Sequence, residues 1–143
     1  MMNITFKKSD IINQEKLQKD IDDTFGRLME RPKKNLKGRT PEQMYRTTEM
    51  GLVLEHYLMQ NDPKFEKATD LDPSDVYHDL IDTTNQEIHE CKARTEYYSP
   101  EYYFITIKEQ LLKTSYNHSK YLHLALYNKK TETYTYHGFK QIR

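Results

Sequence analysis

The chain has 143 residues, 31% of them charged and 36% hydrophobic, a length at which one domain forms a core without disulfides or a structural metal. Its 22 Lys and Arg residues equal its 22 Asp and Glu residues, so the overall balance gives no sign of a strongly basic nucleic-acid-binding protein or a polybasic membrane tether. The chain lacks a signal-peptide pattern and any stretch near the roughly 18 consecutive apolar residues of a membrane span, and Cys91 is its only cysteine. We therefore expect a single domain, 1–143, located in the cytoplasm and without a membrane partner.

Two helical patterns occupy the N-terminal part of the chain, residues 1–61. Apolar side chains recur at helical spacing from about Asp10 until Pro32 ends the pattern, which predicts the first helix. The sequence Thr-Pro-Glu-Gln at 40–43 combines an N-cap, a first-turn proline and a capping-box glutamine. A second helix is therefore predicted from there to about Asn61.

Two charged features accompany these helices. The segment between them combines helix breakers with positive side chains, which is typical of an exposed basic loop; these side chains are Lys33, Lys34, Lys37 and Arg39. Such a loop either contacts phosphates or is simply solvated. Within the second helix, Glu55 lies in a stretch that is apolar nearly all round, so we expect it to be buried and to need a partner.

Strand patterns dominate the rest of the chain, residues 75–143, which we interpret as the sheet core. An acidic segment with two prolines, 62–75, predicts a connecting loop before it. Strands are predicted over 76–82, 87–94, 102–107, 121–127 and 133–136, and a helix over 108–118. This order of elements predicts an α/β fold with a mixed central β-sheet flanked by helices.

The first two predicted strands form a hairpin whose loop is 83–86. With that loop, Asp79 faces Glu90, and Lys92 projects from the same face because side chains alternate along a strand. Two carboxylates this close repel unless a cation lies between them, and hard oxygen ligands favour Mg²⁺, with Mn²⁺ as a second choice. Lys92 beside such an ion could orient a water or stabilise charge on a phosphate, which is the chemistry of phosphodiester hydrolysis.

An acidic residue on one strand and Glu-x-Lys on the next resemble the signature of the PD-(D/E)XK nuclease superfamily, and in particular its compact type II restriction endonucleases. The similarity covers roughly residues 75–137. It implies a restriction-endonuclease-like core, a magnesium ion held by Asp79 and Glu90, and catalysis assisted by Lys92. It also implies a helix-borne glutamate that reaches the same metal or its water. Glu55 is the candidate for that catalytic and metal-binding role; the alternative is that it only pairs with a nearby Lys or Arg.

Three alternatives for the hairpin stay open. Asp82 could replace Asp79, because the hairpin is one residue longer than in the enzymes that it resembles. His78, His89 and Cys91 share the opposite face and could bind zinc, although no fourth ligand has a recognisable spacing. The acidic and basic side chains could also form nothing more than a salt-bridged hairpin surface.

Further candidate DNA contacts lie beyond the Glu-x-Lys strand. The segment that follows this strand occupies the place where the restriction enzymes read bases, and other polar residues precede the predicted strand at 121–127. These candidates are Arg94, Tyr97, Tyr98, Asn117, His118 and Lys120. Structural roles in strand packing or loop formation are the alternative.

The function predicted from these residues is a magnesium-dependent endonuclease of double-stranded DNA, with type II restriction as the first choice of biology. Because cutting both strands calls for two active sites, we expect a homodimer, with the N-terminal helix as a candidate interface. A phage or repair nuclease, such as a junction resolvase, would use the same chemistry. A non-catalytic DNA-binding protein on a decayed nuclease scaffold is the third alternative.

Overall fold

A computed structural model of the chain describes residues 3–30 and 38–143. Its strands, in chain order, are β1 Ile4–Phe6, β2 Phe65–Lys67, β3 Leu80–Asp82, β4 Ile88–Thr95, β5 Tyr121–Asn128 and β6 Thr133–Gln141. They form one sheet in the order β1-β6-β5-β4-β3-β2, in which β4 and β5 are parallel and the other neighbours are antiparallel. The helices are α1 Gln14–Met29, α2 Pro41–Asn61, α3 Ala68–Leu71 and α4 Pro100–Leu112. The predicted α/β class with a mixed sheet and helices is therefore confirmed.

The two N-terminal helices form where the sequence predicts them. α1 lies within the predicted range, and Asn13 caps its first turn by accepting a hydrogen bond from the backbone N–H of Lys16 at 3.0 Å. At the start of α2 the predicted capping box is present. The Thr40 hydroxyl accepts the N–H of Gln43 at 3.2 Å, and the Gln43 side chain accepts the N–H of Thr40 at 2.8 Å.

Helices cover both faces of the sheet and create two apolar cores. On one face, α1 and α2 pack on the sheet through a core that includes Leu17, Leu54 and Ala125. On the other face, α4 packs on β5, where Leu122 and Leu124 are buried. β5 contributes to both cores because alternate side chains point to opposite faces.

The predicted strand over 102–107 is wrong, because this segment belongs to α4. Ser99 caps the helix by accepting the N–H of Tyr102, and Pro100 occupies the first turn. The buried side chains of α4 recur at helical spacing and are Tyr103, Phe104, Ile107 and Leu111. Its aromatic and β-branched residues favour a strand locally. The N-cap and the burial of the apolar helix face against β5 stabilise a helix instead. The helix predicted over 108–118 accordingly ends at Leu112.

Four shorter elements also differ from the sequence prediction. The segment 62–75 is not a plain loop, since it contains β2 and α3, and the opening segment contains the edge strand β1. β3 is shorter than the predicted strand over 76–82 and excludes Asp79. Its register is nevertheless the one predicted, because Leu80 faces His89 and Ile81 faces Ile88.

In the described parts of the chain, every helix is too short or too polar to cross a membrane.

Candidate active site

A cleft opens beside β4 because β3 pairs only with the beginning of that strand. Beyond this pairing, α1 and α2 face β4 across a cavity of about 550 Å³. The charged side chains of its wall come from four elements and the segment before β3, and include Arg27, Glu55, Lys67, Asp79, Lys92 and Arg94. The cleft therefore collects three of the four predicted catalytic residues, Glu55, Asp79 and Lys92, whereas Glu90 lies behind its wall in contact with Lys92.

Asp79 lies at the edge of this cleft, immediately before β3. Its Oδ2 accepts a hydrogen bond from the backbone N–H of Cys91 at 2.8 Å, which ties it to β4. Burial, followed by repulsion from Glu90 and Glu55, raises the pKa of Asp79 well above its usual value, while Lys92 and the Cys91 N–H oppose that shift. The ionised carboxylate is therefore costly in this position unless a cation approaches it.

Glu90 and Lys92 project from β4 on one side, as the alternation predicts. The Lys92 ammonium lies 3.2 Å from Oε2 of Glu90. The other carboxylate oxygen of Glu90, Oε1, accepts hydrogen bonds from the Asn117 amide at 3.1 Å and from the Ser119 hydroxyl at 3.4 Å. Glu90 is only 5% exposed, so these contacts replace the water that its charge would otherwise need.

Glu55 reaches the cleft from α2 and is buried, as predicted. Its Oε1 lies 3.9 Å from the Lys67 ammonium, which supplies the expected partner. Burial raises the pKa of Glu55, Lys67 opposes this, and Glu90 raises it further. Glu55 thus forms the ion pair that one sequence interpretation expected and also interacts electrostatically with the Asp79 and Glu90 carboxylates, and its metal-binding role stays a prediction.

A buried ionic network that the sequence did not predict continues behind Glu55. Lys67 also lies 3.8 Å from Asp20 on α1, and Asp20 forms a contact of 2.7 Å with the His56 ring. Burial alone would raise the pKa of Asp20, but its bond to His56 and the ammonium groups of Lys67 and Lys16 lower it to about 2. The only sequence signal for this network was the Lys16 and Asp20 spacing on one helix face.

One property of this site favours a divalent cation and another does not. Its carboxylate oxygens are hard ligands of the kind that Mg²⁺ and Mn²⁺ prefer. Within residues 3–30 and 38–143, however, no three His, Cys, Asp or Glu side chains are gathered closely enough to hold a metal by themselves. Magnesium is usually bound by one or two carboxylates together with water and substrate phosphates, so a pair of carboxylates fits this ion.

The zinc alternative does not assemble in the described part of the chain. The His78 ring uses both nitrogens, because Nδ1 lies 3.0 Å from the Asp75 carboxylate and Nε2 accepts the N–H of His118. His89 instead faces His123, with 2.8 Å between Nδ1 and Nε2. The Cys91 thiol is buried, and burial raises its pKa well above its usual value.

The candidate DNA contacts fall into four groups. Lys33, Lys34 and Lys37 lie outside the described residues. Arg94 lines the cleft, and Arg39 is close enough to contribute to the lowered pKa of Arg94, whose main cause is burial. Tyr97 and Tyr98 are 68% and 59% exposed just beyond β4.

The last three candidates follow α4. His118 is exposed, and the Lys120 ammonium pairs with Glu87 at the hairpin end of the sheet. Asn117 is 5% exposed and its side chain is turned inward onto Glu90.

A scan against protein-family models, a search of curated proteins and a search of solved structures each find no match to this chain. The functional assignment rests on the side chains themselves.

Proposed function

We propose that this protein is a magnesium-dependent endodeoxyribonuclease that hydrolyses phosphodiester bonds of double-stranded DNA. The observation that supports this most directly is that Asp79 and Lys92 line one cleft and that Glu90 contacts Lys92 at its wall. The Cys91 N–H links Asp79 to β4, and the Lys92 ammonium contacts the Glu90 carboxylate. Two carboxylates and one ammonium in this relation are the residue types that metal-assisted phosphodiester hydrolysis requires.

The carboxylates are the proposed ligands. Asp79 and Glu90 would hold the ion, and Glu55 would reach it directly or through a water. Magnesium bound there would stabilise negative charge on the phosphate and make a bound water more acidic. Burial is the main cause of the raised pKa values of Asp79 and Glu55, and repulsion from Glu90 adds to both. A cation bound among these carboxylates would relieve that repulsion.

Lys92 is the proposed catalytic cation. Its side chain is 33% exposed, so its ammonium group can contact solvent while Glu90 holds it. From this position it would orient the attacking water or stabilise the charge that develops on the phosphate in the transition state. The water oxygen would form the new bond to phosphorus while the bond to the leaving sugar oxygen breaks.

The open side of the cleft offers a path for the DNA backbone. Arg94 and Arg27 line it, and the lysines of the segment 31–37 precede the helix that forms one wall. The two arginines favour phosphate, whereas the exposed tyrosines beyond β4 suit contacts with bases or sugars.

We further propose a restriction-endonuclease-like core, with type II restriction as the biological role and a homodimer as the active form. Two copies would place one site on each DNA strand, and α1 is the proposed interface. A repair or phage nuclease would use the same residues on branched DNA.

The proposal is tested by incubating the purified protein with supercoiled plasmid DNA, with magnesium and with EDTA. Discrete linear fragments that require magnesium are the expected result. A parallel incubation with a four-way junction and its matched linear duplex distinguishes restriction from junction resolution. Intact plasmid and intact junction after incubation with either magnesium or manganese would contradict the enzymatic assignment.

A further inference from the structure

Asn117 bonds to the two segments that carry Asp79 and Glu90. It lies in the turn between α4 and β5, where it is buried. Its Nδ2 group donates to Oε1 of Glu90 at 3.1 Å and to the carbonyl of Tyr77 at 3.2 Å, and its Oδ1 accepts the N–H of Ser119 at 3.0 Å. Both acceptors require an N–H donor, so these three contacts fix the orientation of the amide.

We propose that Asn117 is a positioning residue that sets Asp79 and Glu90 at the distance and orientation needed to share a cation. This inference depends on the proposed function for its catalytic meaning, whereas its structural part is testable without activity. It differs from the sequence interpretation, in which Asn117 was a candidate DNA contact.

The two carboxylate oxygens of Glu90 have different partners. Asn117 and Ser119 occupy Oε1, and Lys92 approaches Oε2. Donors on both sides remove the rotational freedom that a buried carboxylate would otherwise retain. Ligands held in this way by neighbouring groups bind metals more tightly, because less order has to be created when the ion arrives.

The Asp79 side is held through the backbone. Tyr77, whose carbonyl accepts the second N–H of Asn117, lies two residues before Asp79. The carboxylate of Asp79 then reaches the N–H of Cys91. Since β3 does not include residues 77–79, the Asn117 bond substitutes for strand pairing in this stretch.

The turn that carries Asn117 is itself anchored. The Arg143 guanidinium donates to the carbonyl of Asn117 at 2.5 Å and to the carbonyls of Leu111 and Ser119, each at 3.3 Å. These bonds tie the end of α4 to the start of β5. A rigid turn is what a positioning role requires.

The test uses two variants and a matched control. Asn117→Asp keeps the acceptor for Ser119 and the side-chain shape but removes both donors. Asn117→Ser replaces the amide by a shorter hydroxyl that cannot span both acceptors, without adding a charge, so that it decides the outcome if the acidic variant fails to fold. Asn85→Asp is the control, since the Asn85 amide also donates to a glutamate, Glu87, but in the exposed hairpin loop.

The first readout is the hydrogen exchange of the Cys91 amide in metal-free protein. In both Asn117 variants we expect this amide to exchange at least about tenfold faster, because Asp79 loses its fixed position. The amides of Glu90 and Lys92, which point toward β5, serve as internal references. The Asn85→Asp control should leave all three amides unchanged.

The second readout is calcium affinity, measured by calorimetry without DNA. We expect the Asn117 variants to bind Ca²⁺ roughly tenfold to a hundredfold more weakly than the wild type. An unchanged rate of Cys91 exchange in folded Asn117→Ser would overturn the proposal, whatever the calcium result. Faster Cys91 exchange in the variants, combined with a wild type that cleaves no DNA, would sustain the positioning role and refute the nuclease assignment alone.

Discussion

The carboxylate of Asp79 accepts the backbone N–H of Cys91 at 2.8 Å, although Asp79 lies outside the strand that pairs with β4. Because Asp79 is not part of the β3–β4 pairing and uses only Oδ2 in its bond to β4, its other oxygen, Oδ1, can face the cleft. Asp82, the alternative ligand, is engaged elsewhere: its Oδ1 accepts the backbone N–H of Thr84 at 2.9 Å and the hydroxyl of the same residue at 2.5 Å. The two aspartates should therefore respond to substitution in opposite ways.

We expect Asp79→Asn to abolish magnesium-dependent cleavage and to raise the melting temperature of the metal-free protein. The stability should rise because Asp79 has a raised pKa, which means that its ionised form is disfavoured in the folded state at neutral pH. Plasmid cleavage and thermal unfolding in EDTA measure the two effects.

Asp82→Asn is the matched control. The hydrogen bonds from Thr84 lower the pKa of Asp82, so its charge stabilises the fold, and the variant should melt earlier but still cleave DNA. If Asp82→Asn loses cleavage and Asp79→Asn keeps it, Asp82 is the ligand.

The stabilisation by calcium should increase with pH. Asp79 and Glu55 both have raised pKa values, and each must lose its proton before it can bind a cation. The rise in melting temperature caused by a fixed calcium concentration should therefore shrink as the pH is lowered, because protons then compete with calcium for these carboxylates. A calcium effect that stays constant down to the onset of acid unfolding would show that these two carboxylates are not ligands.

Lys92→Ala should lower cleavage far more than it lowers affinity for duplex DNA, because the role proposed for Lys92 is to act on the attacking water or the transition state. Duplex binding in calcium and cleavage in magnesium separate the two quantities. Lys8→Ala is the control, since Lys8 makes an ion pair of the same length, 3.2 Å, with Glu49 outside the cleft. Cleavage by Lys92→Ala at the wild-type rate would refute the mechanism.

Lys67→Met should lower the free energy of unfolding by about 3–5 kcal/mol, because the loss of one partner leaves buried charges without compensation. Lys67 lies between Asp20 and Glu55, and all three side chains are buried. Lys16→Met is the control, because Lys16 contacts Asp20 from the solvent side. Urea unfolding of both variants measures the difference, and equal stabilities would show that the buried network contributes little.

The stability of the fold should decrease as the pH falls below about 6.5. Burial, followed by the neighbouring His89, lowers the pKa of His123 to about 3, so the unfolded chain binds a proton that the folded chain excludes. For one such proton the free energy of unfolding falls by up to about 1.4 kcal/mol per pH unit between these values. His123→Gln should flatten this slope in acid unfolding, whereas the exposed control His118→Gln should leave it as steep as in the wild type.

The hairpin was predictable from sequence because its information is local. The alternation of side chains and the turn at 83–86 set the register that places Asp79 near Glu90, and this register is confirmed. The capping box at 40–43 identified the start of α2 for the same reason.

What sequence did not predict depends on contacts between distant segments. Residues 102–107 have a strand-like composition, and only the burial of one face of α4 against β5 makes their helical form favourable. Lys67 pairs with Asp20, 47 positions earlier, and a pair so far apart in sequence leaves no local pattern that could predict it. The same is true of Asn117, whose role depends on a bond to Tyr77 across 40 positions.

The pairing of β1 with β6 has a consequence for how the chain folds. Thr5 faces Thr135, so this part of the sheet joins segments that are 130 positions apart. Closing a loop of that length costs conformational entropy, and this cost comes before the stabilising contacts form. We therefore expect β1 to dock after the hairpin and β5 have formed. The last step would bring Phe6 between the rings of Tyr57 and Tyr134, which it stacks against at centroid distances of 3.9 and 5.3 Å. The fluorescence of these tyrosines should therefore report the slowest phase of refolding, after the cleft has already assembled.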